Sequence, residues 1–248
     1  MSPVEQEDVL RRSVAEALGT GAVVFVAAGA IIAGGNDLLG IAAAYGIILA
    51  VMVTAFGHIS GGHFNPAVTA GFLITRRIEP ILGLVYIVSQ FVGAVIAAAL
   101  LRAVFDDAKA DAVNLGAPSL GAGVSVGEGF VTEIILTFLL VLVFFATAVD
   151  ERGGFKLVGG FAIGLTVFAG VLVAGGISGA AMNPARAFGP QLVGNFWADG
   201  WLYYVACPIG GLLAAFLYDR LYLRGSRRET AGPGDSGIDE PGVERAVD

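Results

Sequence analysis

Two near copies of one polar motif interrupt an otherwise apolar chain. The first, HISGGHFNPAVTAG, occupies residues 58–71, and the second, GGISGAAMNPARAFG, begins at residue 175. Asparagine is a preferred N-cap and proline suits the first helical turn, so the shared Asn-Pro pair predicts a helix start in each copy. Only about ten moderately apolar residues follow, and they span about 15 Å, half of a bilayer core. Each copy therefore predicts a half-helix.

Two half-helices that enter a membrane from opposite sides would bring their N-termini together at its centre. Each N-terminus carries about half a positive charge, so cations and hydronium would be repelled from both directions. The asparagine amides donate and the preceding carbonyls accept, a lining that passes neutral hydrogen-bonding molecules. The predicted pore residues are Asn65, Pro66, Ala67, Asn183, Pro184 and Ala185, and the predicted acceptors are the carbonyls of Gly61, Gly62, His63, Phe64, Gly179, Ala180, Ala181 and Met182.

Charged side chains within apolar segments are costly and usually face the interior of a helix bundle. Glu16 and Glu133 are predicted to support the non-helical loops by accepting their hydrogen bonds, with a place at the membrane interface as the alternative. Arg186 would present fixed donors and a permanent charge beside the constriction, or else anchor an interface. His63 is interpreted either as a pore-side donor or as a structural group.

The chain offers little that could support catalysis or metal binding. It has two histidines and one cysteine, Cys207, which is interpreted as an inert buried thiol. Because carboxylates and partner cysteines are not clustered, no catalytic residue, metal site or cofactor is predicted. The net charge of -7 comes from acidic termini and connections, and nothing favours a nucleic-acid partner.

The elements around the motifs are typical of a protein embedded in a lipid bilayer. Of the 248 residues, 56% are hydrophobic and 14% charged, with a mean hydropathy of +0.80. A bilayer core takes roughly 20 apolar helical residues to cross. The predicted fold is therefore all-α, with two half-helices and six transmembrane helices at residues 11–34, 38–57, 80–104, 126–149, 156–174 and 199–222.

The duplication extends beyond the two motifs. A Glu-xxx-Thr pattern begins 49 residues before Asn65 and again 50 residues before Asn183. Each copy holds three spanning helices, an odd number, so the two repeats are predicted to be inverted, with the site near the midplane. The predicted channel domain is 11–222, with repeats at about 11–104 and 126–222, a polar segment at 1–10 and a disordered cytoplasmic tail at 223–248.

Basic residues predict the orientation of the chain. With both termini in the cytoplasm, eleven of the fourteen lysines and arginines lie on that side, and Arg102 and Lys109 lie on the other. This asymmetry predicts a multi-pass protein of the cell membrane with both termini cytoplasmic.

The segments HFNPAVT, MNPARAFGP and GHISG, with a membrane glutamate in each half, resemble the aquaporin, or major intrinsic protein, family over about residues 10–222. The resemblance implies one pore per subunit, a homotetramer, and a passive channel that conducts water and small uncharged solutes while excluding protons and ions. It also implies a selectivity filter, which counting from the two asparagines places at Tyr45, Val171, Ala180 and Arg186.

The filter positions bear on the choice of solute. Val171 stands where strict water channels usually have histidine, so the filter is expected to be wider. Ala187, however, follows Arg186 where the glycerol-conducting branch usually has aspartate. Water is the expected main permeant, with glycerol, ammonia or another small neutral solute as the alternative. A secondary transporter and a scaffold with a vestigial pore are the other classes, and the intact, non-titratable motifs favour the channel.

Overall fold

The structure is a computed structural model that describes residues 3–34, 37–152 and 158–223. All regular secondary structure in these ranges is helical, which confirms the predicted all-α class. The helices are α1 (Pro3–Gly34), α2 (Leu38–Ser60), α3 (Pro66–Ile74), α4 (Pro80–Val104), α5 (Asp107–Ala112), α6 (Val126–Phe144), α7 (Gly159–Ala174), α8 (Pro184–Val193) and α9 (Trp201–Tyr218). Single π-helical segments, Phe145–Val149 and Asp219–Leu223, continue α6 and α9.

Within the described part of the chain, five segments are long and apolar enough to cross a membrane. They are Gln6–Gly34, Leu38–Ser60, Pro80–Val104, Val126–Val149 and Trp201–Leu223. The remaining predicted span, the fifth along the chain, corresponds to α7, which has 16 residues, and the start predicted for it at residue 156 lies outside the described residues. The predicted tail lies outside them as well, except for Leu223.

Two helices reach further than the sequence predicts. The first helix, expected from residue 11, begins at Pro3, so most of the predicted polar segment is helical. Asp8 lies 2.9 Å from Arg11 and 2.6 Å from Arg12, and such pairs at i,i+3 and i,i+4 support an exposed helical turn. Helix α2, expected to end at residue 57, continues to Ser60 and so includes the first residues of the motif.

The two halves of the chain pack into each other. Helix α1 packs on α4 and α6 on α9, while α2 of the first half lies against α7 of the second. The half-helices are exchanged, because α3 packs mainly on α9 and α8 mainly on α4. Each half-helix is therefore enclosed by helices of both halves.

Glycines allow the closest of these crossings. A Cβ atom at Gly93 of α4 would lie 2.1 Å from the Ala17 carbonyl oxygen of α1. At Gly164 of α7 it would lie 2.3 Å from the Gly46 carbonyl oxygen of α2. Backbones can approach this closely only where no side chain intervenes, as in the small-xxx-small contacts of membrane helices.

Candidate functional site: a pore between two half-helices

An asparagine caps each half-helix. The Asn65 Oδ1 atom accepts a hydrogen bond from the Ala67 N–H at 2.8 Å. Asn183 Oδ1 accepts from the N–H groups of Ala185 and Arg186 at 3.0 and 3.3 Å. Proline occupies the first helical turn in both, where no N–H is needed. The cap uses only the side-chain oxygen, so each amide nitrogen is available for another contact.

Those amide nitrogens cross from one half-helix to the other. Asn65 Nδ2 donates to the Met182 carbonyl oxygen at 2.8 Å, and Asn183 Nδ2 donates to the Phe64 carbonyl oxygen at 2.8 Å. The sequence separations are 117 and 119 residues, so the contacts join the two repeats. Both asparagines are buried. This reciprocal exchange holds the two N-termini face to face inside the protein.

The loops before the asparagines share an unusual backbone. Three of the last four residues in each loop have positive φ angles, and the matched pairs are Gly61 (93°) with Gly179 (75°), Gly62 (66°) with Ala180 (44°), and Phe64 (49°) with Met182 (52°). A non-glycine residue in this region costs about 1–3 kcal/mol unless surrounding structure fixes it. The loops therefore depend on contacts from elsewhere in the fold.

Glu16 supplies those contacts for the first loop. Its Oε1 atom accepts from the Ser60 hydroxyl at 2.6 Å and the His63 N–H at 3.0 Å. Its Oε2 atom accepts from the Phe64 N–H and the Gln90 Nε2, both at 2.7 Å. Glu16 is fully buried in α1, so its charge is compensated by hydrogen bonds rather than by water.

Glu133 makes the equivalent contacts in the second loop. It accepts from the Ser178 hydroxyl at 2.7 Å and from the N–H groups of Ala181 and Met182, both at 2.8 Å. The Cys207 thiol, 3.5 Å away, provides the fourth contact. The free thiol is fully buried and forms part of this support.

Two tyrosines that the sequence analysis does not connect with the loops also hold them. Tyr86 donates to the Ser60 carbonyl and Tyr203 to the Ser178 carbonyl, each at 2.8 Å. The two tyrosines are 117 residues apart, the same interval that separates the two glutamates. Equal spacing across the repeats is the signal that could have found them.

His63 is both packed and close to the pore. Its Nδ1 atom lies 3.1 Å from the Thr69 hydroxyl, and its ring lies 4.1 Å from the ring of Phe72 and edge-on to Phe144. The side chain also lines the small central cavity described next. His63 is therefore packed as a structural group and also borders the inner cavity, and its role as a pore-side donor stays a prediction.

Two cavities near the half-helices share Tyr45 in their linings. We call the larger of these two, about 470 Å³, the vestibule; Tyr45, Val171, Gly179 and Arg186 are among the residues that line it. The inner cavity, about 10 Å³, has Asn65, Asn183, His63 and Tyr45 in its lining. A volume of about 10–15 Å³ holds roughly one water molecule. Because Tyr45 borders both cavities, it forms part of the wall between them.

Three of the four predicted filter residues line the vestibule. Tyr45, Val171 and Arg186 line the vestibule, whereas Ala180 is buried in the apolar cluster that also contains Tyr45 and Val171. The Arg186 guanidinium carbon lies 5.9 Å from the centre of the Tyr45 ring. Its Nε and Nη1 atoms are buried and have no hydrogen-bond partner within the described residues.

The Tyr45 hydroxyl makes a contact at the filter that the sequence does not predict. The wider opening expected from Val171 stays a prediction, and the structure adds a contact at the filter, because the Tyr45 hydroxyl donates to the Ala181 carbonyl at 2.8 Å. Residue spacing locates the ring and gives no information on where its hydroxyl points.

The loop between α5 and α6 is a part of the site that the sequence does not reveal. Asn114, Ala117, Pro118 and Ser119 line the vestibule. A Cβ atom at Gly179 would lie 2.9 Å from Pro118, so this loop packs directly on the second motif. Within the described residues, no group of three or more His, Cys, Asp or Glu side chains is placed to hold a metal ion.

Comparison with known proteins identifies the family of the chain. The family model described as major intrinsic protein matches residues 4–218. The chain belongs to this family. It is similar to aquaporin TIP4-4 of Zea mays, with 44% identity over 204 residues, 80% of this chain and 79% of the relative. It is also similar to a probable aquaporin TIP3-2 of Arabidopsis thaliana, with 40% identity over 232 residues, 87% of this chain and 85% of the relative.

A solved structure supports the family fold. The aquaglyceroporin of Plasmodium falciparum superposes with a TM-score of 0.79 and covers 89% of this chain and 99% of its own. Sequence identity is 22%, so this likeness concerns the fold.

Proposed function

We propose that this family member is a passive membrane channel, not an enzyme, that conducts water and small uncharged solutes and excludes protons and ions. The observation that carries the proposal is the exchange between Asn65 and Asn183, which places two helix N-termini and two amide groups around one small cavity. Each amide has two hydrogens, and the exchange uses one, so the other is left for a passing molecule. The opposed helix dipoles disfavour cations at the same point.

The two buried glutamates support a passive channel over a coupled transporter. Coupled transport needs a group that binds a proton or ion in turn with the substrate. Both oxygens of Glu16 and of Glu133 accept hydrogen bonds from the chain, so these carboxylates are committed to the loops.

Water is the proposed main permeant, and glycerol, ammonia or another small neutral solute is the second candidate. The inner cavity has room for about one water, and Tyr45, which borders it, is hydrogen-bonded to the Ala181 carbonyl, both of which favour water. Val171 favours the second candidate, since it gives the vestibule an apolar wall and no side-chain donor.

The remaining proposals concern the setting of the pore. We propose that the protein resides in the cell membrane with both termini cytoplasmic, on the basis of the distribution of basic residues in the sequence. A homotetramer with one pore in each subunit is proposed from the family.

Stopped-flow light scattering on proteoliposomes tests the proposed function. Under an impermeant osmolyte the vesicles should shrink several times faster than empty liposomes. An imposed pH gradient should decay no faster than in empty liposomes. Shrinkage at the rate of empty liposomes would contradict the channel. Accelerated decay of the pH gradient would contradict proton exclusion, and so separates the two parts of the proposal.

Val171→His tests the solute preference. A histidine should add a donor and bulk opposite Tyr45, so we expect glycerol flux to fall by roughly an order of magnitude while water flux changes less than about twofold. Glycerol and water permeabilities would be measured on the same vesicles. The control is Val173→His, on the same helix but exposed, which should leave both unchanged. Equal loss of both fluxes in Val171→His would mean that this residue does not discriminate between solutes.

A further inference from the structure

The boundary between the vestibule and the inner cavity depends on one side chain. Tyr45 is 3% exposed and borders both cavities. Its ring rests near the Arg186 guanidinium, a cation–π arrangement that favours the observed ring position. The ring therefore forms part of the boundary that a molecule crosses between the vestibule and the inner cavity.

The hydroxyl of Tyr45 is bonded to a fixed acceptor. It donates to the Ala181 carbonyl at 2.8 Å, across 136 residues of sequence. The Ala181 N–H donates to the Glu133 carboxylate at 2.8 Å, so the acceptor belongs to a loop that this glutamate holds in place. The tyrosine side chain rotates about two torsions, whereas the carbonyl is held by the backbone. If the contact opens, the tyrosine is the partner that moves.

We propose that the hydrogen bond from the Tyr45 hydroxyl to the Ala181 carbonyl obstructs the filter and that each permeating molecule must displace it. We call this hydrogen bond the bar. This proposal rests on the proposed channel function. Water can replace both halves of the broken contact, since it donates to the carbonyl and accepts from the tyrosine. A neutral solute passes only if it carries a donor and an acceptor close together and is small enough for the inner cavity. The bar therefore selects for compact hydroxylated or aminated molecules and limits their rate.

Tyr45→Phe keeps the ring and removes the bar. The Ala181 carbonyl then becomes free for water, and the net strength of one hydrogen bond corresponds to roughly a 3- to 10-fold rise in water permeability per channel. Water permeability would be measured by stopped-flow at several temperatures, normalised to the amount of reconstituted protein. We also expect the temperature dependence of water flux to be weaker in the variant.

Two further variants make the comparison specific. Tyr204→Phe is the matched control, because its hydroxyl bonds to Gln191 Oε1, outside the lining of either cavity, and it should leave water permeability unchanged. Tyr45→Leu also lacks the hydroxyl and should likewise raise water permeability. It provides the test if Tyr45→Phe fails to fold.

The outcomes distinguish a failure of the bar proposal from a failure of the proposed channel function. Faster water flux in Tyr45→Phe or Tyr45→Leu, with Tyr204→Phe unchanged, supports the bar, including the case in which the unmodified protein conducts slowly. A conducting unmodified protein whose folded Tyr45 variants are no faster overturns the bar and leaves the channel function intact. If neither the unmodified protein nor the two folded Tyr45 variants conduct water faster than empty liposomes, both proposals are overturned.

Discussion

At the scale of single residues, the chain itself engages both oxygens of each buried glutamate. Glu133 holds three backbone or hydroxyl donors and one thiol, and every one of them belongs to the second loop or to α9. The carboxylate thus fixes two N–H groups on one side of the loop, which directs the neighbouring carbonyls away from it.

Replacing this carboxylate tests how far the loop depends on it. In Glu133→Gln an NH₂ group would face donors where an oxygen accepted, so we expect a loss of about 2–4 kcal/mol in stability and at least a tenfold loss of water flux. Thermal unfolding in detergent and stopped-flow measurements would follow the two effects. The matched substitution Glu151→Gln, at an exposed residue, should change neither. A glutamine variant with native flux would show that the charge is dispensable.

The sequence predicts some of these residues well and others not at all. The capping asparagines and the glutamates are evident, because a short helix inside a membrane needs a capped start and a carboxylate there needs donors. The Tyr45 hydroxyl contact and the packing of Pro118 against Gly179 are not, since both depend on side-chain and loop directions that spacing does not specify.

At the scale of elements, the crossing of α1 and α4 depends on a glycine. The Ala17 carbonyl occupies the space where a Gly93 side chain would be, and this pair of helices carries Glu16 on one partner and Gln90 on the other. The distance between the two helices therefore sets the position of the first loop.

Gly93→Ala should push these two helices apart. A methyl group would lie about 2 Å from the Ala17 oxygen, an overpacking that typically costs about 1–3 kcal/mol. The control is Gly127→Ala in α6, where a Cβ atom meets nothing within 4 Å and the substitution should be neutral or stabilising. Unfolding temperatures of the two variants decide the matter, and equal effects would contradict a close helix crossing.

Helix existence is predicted better than helix ends. Apolar length is a property of composition, so the spanning segments are found directly. The ends depend on local contacts, and the pairs of Asp8 with Arg11 and Arg12 carry α1 back to Pro3. The π-helical segments continue α6 and α9 without an intervening loop, so the sequence does not predict them.

At the scale of the whole molecule, polar contacts fasten the ends of α6 and α9 to each other and to the first repeat. Asp150 accepts from Arg152 at 2.7 Å and from the Tyr218 hydroxyl at 2.9 Å. Arg77, between α3 and α4, lies 2.9 Å from Asp219. The hydrogen bonds from Arg152 hold the pKa of Asp150 well below its ordinary value.

Asp150→Asn should destabilise this end of the protein by about 2 kcal/mol, and the loss should not depend on pH between 5 and 8. A depressed pKa contributes stability above the unfolded-state pKa, about 3.9, and that stability is lost only as pH falls through the still lower folded value. Thermal unfolding at pH 5, 6.5 and 8 would measure the difference. Asp111→Asn, which breaks an exposed pair with Arg102, should cost much less. A difference that vanishes by pH 5 would contradict the assigned pKa.

The exchange of amide hydrogen bonds between Asn65 and Asn183 has a consequence for ancestry. Each amide needs a carbonyl that only the other repeat provides, at Met182 and at Phe64. A single-repeat precursor would have left both groups unsatisfied in the membrane unless it met a second copy inserted upside down. Such a precursor would have needed to insert in both orientations, and fusion of two genes would have fixed one orientation for each half.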